Sequence, residues 1–404
     1  MDRKSNRVLQ NIFRCYRERI TAQPTSLKDL KAIDAIVSCR TSELGSSIYE
    51  CKEDQSVQVI HHSCKHRSCA LCAARRRQQW IEKQQERLLD CAHFHCVFTL
   101  PSEFHVLWRF NQSWFTATFF RIVRSVLFEL MKDPKHQGVV PGVLMAMHTW
   151  GRQLNLHPHI HCVVTAGGTD AQGRWKDSGD YLLPARVVRS LYRGRFLGVI
   201  REALENDELV LPSDYTKQQV GKLLRQTGQK TWCVKIEEQY AHGRGVMMYL
   251  SRYLRGGPIH PKQIVRCDNE RISFRYKDHR DRRTKLLNLK PREFIRRVML
   301  HAPETGQHMV RHYGLYASAG RAQRNACRAQ VGGLMEKYTE NEGETRDAMV
   351  KCAECGSETS LLARYYGGVR KGNSYKEVYA SGHVQQIDEP DKTQIKKTSP
   401  PLRL

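Results

Sequence analysis

The chain has 404 residues, 14 cysteines and a net charge of +25, from 66 Lys+Arg against 41 Asp+Glu. A basic excess of this size points to a polyanion, with nucleic acid as the first candidate. No apolar run reaches the length of a membrane span, and Met1-Asp2-Arg3-Lys4 opens no signal peptide. The expectation is therefore a cytoplasmic chain without a membrane partner, in which clustered thiols mean metal rather than disulfides.

Val8, Ile12, Phe13, Tyr16 and Ile20 recur at helical spacing, Pro24 interrupts them, and the pattern resumes from Leu27 to Val37. Cys39, Cys51, Cys64, Cys69 and Cys72 follow. Cys69-Ala70-Leu71-Cys72 is a CxxC, whose spacing lets two thiolates reach one tetrahedral ion. Structural Zn²⁺ is expected here, with Cys51, Cys64, Cys69 and Cys72 as favoured ligands and Cys39 as the competitor. His61, His62 and His66 stand in reserve. Arg75-Arg76-Arg77 opens a helix running to Leu89, either to meet phosphates or as a solvated face.

A second domain starts at His93. His95 to Pro101 reads as a buried strand ended by proline, Glu103 to Met131 as one or two core helices, and Val139 to Trp150 as another strand. Gly151-Arg152-Gln153-Leu154-Asn155 then leads into His157-Pro158-His159-Ile160-His161-Cys162-Val163-Val164. On a strand, alternate side chains share a face, so His159 and His161 project together while Ile160 enters the core. Two such imidazoles make half of a metal site. A hairpin across residues 151–155 would bring His148 beside them.

Gly167-Gly168 closes that strand. Residues 175–181 read as a polar loop, Leu182-Leu183 as a short edge strand, and 186–204 and 213–227 as amphipathic helices. Thr231 to Ile236 is again a strand. Gly243 and Gly245 launch a helix with Tyr249 and Tyr253 one turn apart, ended by Gly256-Gly257-Pro258. Residues 258–265 and 271–276 read as strands. The basic run Lys277 to Arg283, the Pro291 helix with Arg292, Arg296 and Arg297, and the tyrosine-bearing stretch His308 to Tyr316 together suggest a surface tracking a nucleic-acid backbone. Arg280, Arg282 and Arg283 are its leading candidates. Cys352-Ala353-Glu354-Cys355-Gly356 is a second CxxC with no evident partner pair. From Gly372 the chain is polar and reads as a disordered tail.

Several of these stretches resemble one superfamily. Phe98-Thr99-Leu100, His159-Ile160-His161 and Tyr249-Leu250-Ser251-Arg252-Tyr253 look like the three motifs of the HUH single-strand endonucleases. Ser63-Cys64, Arg67, Cys69 and Cys72 before an arginine-rich helix, then Phe94-His95 to Pro101, narrow the resemblance. So do His148-Thr149-Trp150-Gly151 and Leu156-His157-Pro158-His159. The chain is similar to two-tyrosine rolling-circle transposases of the insertion-sequence-ninety-one type, from about Ile33 to Tyr316. It departs from them at Cys51-Lys52-Glu53-Asp54, where relatives often carry a complete CxxC, and at Ser68, where a histidine often stands. Asp54 is then an alternative ligand, as are Cys39 and Cys64.

The resemblance implies an α+β fold: a helical and zinc-binding domain over 1–92, an HUH endonuclease domain with a central antiparallel sheet over 93–266, a basic DNA-binding extension over 267–350, and a CxxC segment and tail over 351–404. It implies Mg²⁺ or Mn²⁺ on His159 and His161, with a third ligand from His148, His157 or the tyrosine helix. It further implies attack by Tyr249 and Tyr253 on single-stranded DNA at transposon ends and target, with Arg252 near the phenols. Host replication machinery would supply strand separation, since no Walker A motif is present, and the protein would be nucleoid-associated. The nearer alternative is a replication initiator or relaxase. The more distant one is a non-enzymatic zinc-containing DNA-binding regulator, which gives no reason for the histidine and tyrosine pairs together.

Overall fold

The computed structural model describes residues 7–21, 26–241, 257–304, 306–331, 350–366, 375–379 and 384–387. Two helices open it, α1 (Val8–Thr21) and α2 (Leu27–Ser38). Ser26 caps α2 by accepting from the Asp29 amide at 3.1 Å. The side-chain amide of buried Gln10 donates to the Val37 and Cys39 carbonyls at 2.8 and 2.7 Å. Those acceptors at the end of α2 have no donor within the helix. The hairpin β1 (Ser46–Cys51) and β2 (Val57–His61) follows, then α3 (Ala70–Arg87).

Next come β3 (His93–Thr99), α4 (His105–Phe110), α5 (Gln112–Lys132), β4 (Gly142–Trp150), β5 (Leu156–Thr165), β6 (Gly167–Thr169) and β7 (Trp175–Asp177). After them lie α6 (Ala185–Glu205), α7 (Lys217–Gly228) and β8 (Val234–Tyr240). The chain continues through β9 (Ile264–Cys267), β10 (Ile272–Lys277), β11 (Thr284–Leu289), α8 (Pro291–Leu300), β12 (Val310–Gly314) and α9 (Arg321–Val331). It closes on β13 (Thr359–Tyr366), β14 (Tyr375–Tyr379) and β15 (Val384–Ile387). The fold is α+β.

An antiparallel sheet of order β12-β4-β5-β3-β8 forms the centre. Strand alternation sorts its two faces. Phe94, Cys96, Phe98, Val143, Met145, Met147, Ile160, Cys162 and Val164 enter one core, closed by Phe115 and Phe119 of α5, Tyr192 and Phe196 of α6, and Val220 and Leu224 of α7. Leu144, Ala146 and Val163 face the other side, against Trp80 of α3, Leu315, Tyr316 and Cys327. His95, His148, His159 and His161 share the strand parity of that second face. A third core joins α1 and α2 to Cys69, Cys72, Phe274 and α8.

Two sheets cut across the divisions expected at 266/267 and 350/351. β12 lies beyond residue 266 yet forms an edge of the central sheet by pairing with β4. β13 lies beyond residue 350 yet pairs with β1, in a sheet of order β15-β14-β13-β1-β2. The tail therefore contributes strands at 375–379 and 384–387, while residues 388–404 lie outside the described residues.

Leu182-Leu183 is not a strand; both side chains are buried in the main core beside α6. The expected strand over 258–265 is instead a 3-10 turn, Pro261–Gln263, before β9, because Pro261 supplies no ladder donor. Tyr316 is no surface residue. It is fully buried, and its hydroxyl donates to His93 Nε2 at 2.5 Å and accepts from the Leu89 amide at 3.3 Å. His93 in turn donates through Nδ1 to the Cys91 carbonyl at 2.8 Å. Among the described residues, no helix is long and apolar enough to cross a membrane.

Removing that hydroxyl leaves a buried imidazole nitrogen and a backbone amide without their partner. Tyr316→Phe is expected to lower unfolding free energy by about 1–3 kcal/mol. Urea denaturation followed by circular dichroism checks this, and a midpoint equal to wild type would remove the linkage.

Candidate active site and metal centre

The β4–β5 hairpin builds the first site. Its turn is closed by the Gly151 amide donating to the Asn155 carbonyl at 2.8 Å and the Leu154 amide to the Gly151 carbonyl at 3.0 Å. Leu154 sits at φ +58° with its side chain buried, so the turn is anchored in the third core. The register that results sets His148 opposite His159 and Ala146 opposite His161. One ring nitrogen from each of His148, His159 and His161 lies within 4.8 Å of the others. Trp150 stacks on His148 with ring centroids 4.7 Å apart.

Burial pushes the pKa of His159 down to about 4 and that of His161 well below its usual value. Both are therefore neutral near pH 7 and keep one lone pair each. In His159 a hydrogen bond selects which nitrogen holds it. His159 donates through Nδ1 to the His157 carbonyl at 2.7 Å, which leaves Nε2 bare. Glu237 accepts from His95 Nδ1 at 2.6 Å, and His95 Nε2 and His161 Nδ1 share a hydrogen bond at 2.9 Å. A carboxylate thus orients an imidazole two side chains away.

The second site is made of thiols. Cys39, at the C-terminus of α2, meets Cys64, Cys69 and Cys72, with all four sulfurs within 4.8 Å of one another. Cys39 Sγ is 3.4 Å from Cys72 Sγ, and Cys64 Sγ is 3.7 Å from it. Hydrogen bonds from neighbouring thiols favour the Cys72 thiolate, while Cys39 holds the Cys64 thiol protonated. Four sulfurs this close fit a cation that would let all of them ionise. The favoured set with Cys51 is corrected: Cys51 lies at the end of β1 beside Cys355, 3.4 Å between sulfurs, and Cys39 takes its place. The β1–β2 hairpin carries Cys51 away from the helix that holds Cys69 and Cys72. His61 and His62 are engaged by Ser46 and Ser47, and His66 Nδ1 accepts from the Ser68 amide.

Two family models match the chain. One, described as "Putative transposase", covers residues 142–325, and one described as "Transposase zinc-binding domain" covers 8–100. The protein called "Putative transposase y4qJ" of Sinorhizobium fredii (strain NBRC 101917 / NGR234) is 30% identical over 386 residues, 91% of this chain and 97% of its own length. "Transposase for insertion sequence element IS801" of Pseudomonas savastanoi pv. phaseolicola is 30% identical over 323 residues, 77% of each chain. No solved structure matches. The chain belongs to the IS91/IS801 transposase family.

In this transposase, the zinc-binding match and the tetrathiol cluster together support a structural zinc. The histidine strand falls inside the other match. Tyr249, Arg252 and Tyr253 lie outside the described residues. Arg75, Arg76 and Arg77 lie on α3, as expected of a helix. Arg280, Arg282 and Arg283 are exposed on the β10–β11 turn. That turn is tied to the histidine hairpin, where Arg152 donates to the Lys277 carbonyl at 2.8 Å; burial, and after it the nearby His279, lowers the pKa of His157. His157 is not part of the three-histidine cluster.

Sequence reasoning missed His95 and Glu237. The signal for His95 was available, since it has the same strand parity as His159 and His161. Glu237 sits on β8, which reaches β5 only through β3, a strand order that no local pattern encodes.

Cys39→Ser is expected to remove one zinc from the full-length transposase and to lower its melting temperature, because the cluster is buried in the third core. Zinc per chain by plasma mass spectrometry, with a thermal scan, tests it. Unchanged zinc would return Cys39 to a packing role.

Proposed function

We propose that this transposase nicks and rejoins single-stranded DNA by tyrosine attack on phosphorus, in rolling-circle transposition of an insertion sequence. The observation that carries the reading is the meeting of His148, His159 and His161 at one point, with the rings of His159 and His161 oriented by their hydrogen bonds. A purely structural histidine cluster has no need of that arrangement.

Three imidazoles fit a divalent cation with further positions open, and nitrogen donors suit Mn²⁺ better than Mg²⁺. Such an ion supplies positive charge to a scissile phosphate and to the phosphorane that follows. The chain's own groups do the rest. Tyr249 or Tyr253 loses its proton and its oxygen bonds to phosphorus. The P–O3′ bond breaks, and the departing oxygen takes up a proton as a 3′-hydroxyl. The 5′ end remains on tyrosine. An unperturbed phenol is only about 0.1% ionised at pH 7, so positive potential at the site matters. Arg252 is the residue assigned to supply it.

The second tyrosine holds one DNA end while the other is cut, and the free 3′-hydroxyl primes host synthesis. Arg280, Arg282 and Arg283, on the turn tied to the histidine hairpin, are placed to follow the DNA backbone, and Arg75 to Arg77 offer a second contact. The replication-initiator reading shares this chemistry, but the curated relatives are called transposases. The regulator reading leaves the oriented imidazoles unexplained.

Incubation with labelled single-stranded oligonucleotides and Mn²⁺ is expected to give a protein–DNA adduct on a denaturing gel. Adduct should vanish in the Tyr249→Phe/Tyr253→Phe variant and in His161→Ala. An adduct that persists in both variants sinks the assignment. The orientation chain gives a separate test. In Glu237→Gln the carboxylate partner of His95 becomes an amide that can itself donate, so the orientation of His161 is no longer enforced. Mn²⁺ affinity measured by calorimetry is expected to fall about 10–100-fold. An unchanged affinity would place Glu237 outside the site.

A further inference from the structure

The residue displaced from the tetrathiol cluster belongs to another group of ligands. Cys51, Asp54, Cys352 and Cys355 place one donor atom each within 4.8 Å of the others. They come from opposite ends of the chain. Neither family match reaches Cys352 or Cys355.

Two turns of the same construction supply them. In the first, the Cys51 amide donates to the Ser56 carbonyl at 2.9 Å; in the second, the Cys352 amide donates to the Ser357 carbonyl at 2.9 Å. Each turn carries a left-handed residue directly after its second donor: Gln55 at φ +58° after Asp54, and Gly356 at φ +77° after Cys355. Glycine adopts that conformation freely, whereas glutamine occupies it at a steric cost. Inside each turn an amide points at a donor. Ser56 N–H donates to Asp54 Oδ1 at 2.9 Å, and Glu354 N–H donates to Cys352 Sγ at 3.4 Å. Amides aimed this way stabilise anionic oxygen and sulfur.

The turns are held face to face by backbone. Cys51 pairs with Thr359 in the β1–β13 ladder, and the Lys52 amide donates to the Glu358 carbonyl at 3.1 Å. Lys52 and Glu358 also form an ion pair at 2.8 Å. The donor spacing suits a tetrahedral ion. Zn–S bonds of 2.3 Å put sulfurs about 3.8 Å apart. Cys51 Sγ and Cys355 Sγ are 3.4 Å apart, and Cys352 Sγ lies 3.7 Å from Asp54 Oδ2. A disulfide needs sulfurs about 2.05 Å apart, well inside that separation.

We propose that Cys51, Asp54, Cys352 and Cys355 bind a second structural Zn²⁺, which clasps the C-terminal strands to the N-terminal hairpin. The aspartate stands where a paired CxxC turn would carry its second cysteine, and a carboxylate oxygen is a competent zinc ligand. The clasp makes β13 to β15 part of the same unit as β1 and β2.

Full-length protein is reduced, loaded with Zn²⁺, desalted and counted for zinc by mass spectrometry. The Cys352→Ser/Cys355→Ser variant is expected to hold one zinc fewer than wild type, while Cys39→Ser added to it removes another. Equal zinc in wild type and the double serine variant overturns the proposal. Asp54 gives the second arm, at an exposed position where folding is not at stake. With Zn²⁺ as the only metal, Asp54→Ala is expected to speed zinc release to a chelator and Asp54→Cys to slow it. Release at the wild-type rate in both aspartate variants also overturns it.

Discussion

Everything at the candidate active site depends on the register between β4 and β5. His148 faces His159 only because the turn over 151–155 fixes that pairing. A slip by one residue would exchange the two faces of β5 and send Ile160 and Cys162 to the histidine side. The apolar face prevents this. Ile160, Cys162 and Val164 are fully buried against three helices, so the hydrophobic energy that closes the core also aims the imidazoles. Aim and stability therefore have one cause.

That aim carries an electrostatic cost. Burial holds His93, His159 and His301 at pKa values of about 4, below the unfolded value of 6.5. A histidine kept neutral in the folded state contributes its full share of stability above about pH 6.5. The unfolded chain gains protons first as pH falls, so stability drains between about 6.5 and 4. The cost is offset locally. His93 has Tyr316 and a carbonyl, His301 has Thr149 and the Leu154 carbonyl, and His161 has His95 backed by Glu237. The last of these differs from the others because it ends in a carboxylate.

Much of this was legible from the chain. The proline-ended run from His95 marked β3, the run from Val139 to Trp150 marked β4, the alternation around Ile160 marked β5, and the short link over residues 151–155 suggested the hairpin. Helical spacing around Pro24 gave α1 and α2, and Pro291 marked the start of α8. The failures share a cause, which is that pairing between distant segments leaves no local trace. β12 reads as a basic stretch with tyrosines, yet it completes the central sheet and Tyr316 is core. Leu182-Leu183 has strand composition, but the neighbouring helices bury it as coil. Cys51 and Cys39 both precede the CxxC in one cysteine-rich span, and nothing local tells which of them joins it. The β1–β2 hairpin turns Cys51 away.

The two cysteine clusters, though alike in composition, sit differently in the fold. Cys39, Cys69 and Cys72 are buried among α1, α2 and α8, where four uncompensated sulfurs would be costly. An ion there is tied to folding of the third core itself. In the other cluster Cys51 and Cys352 are buried, but Asp54 and Cys355 are exposed, so water can solvate part of it. Its loss would loosen one sheet without emptying a core. Cys51 and Cys355 are 304 positions apart, and closing so long a loop is entropically expensive before any contact rewards it. A metal that forms only when both turns have met adds its binding energy to that late closure. The exposed, carboxylate-containing cluster is thus suited to fastening two ends of a chain, and the buried tetrathiol to holding one domain together.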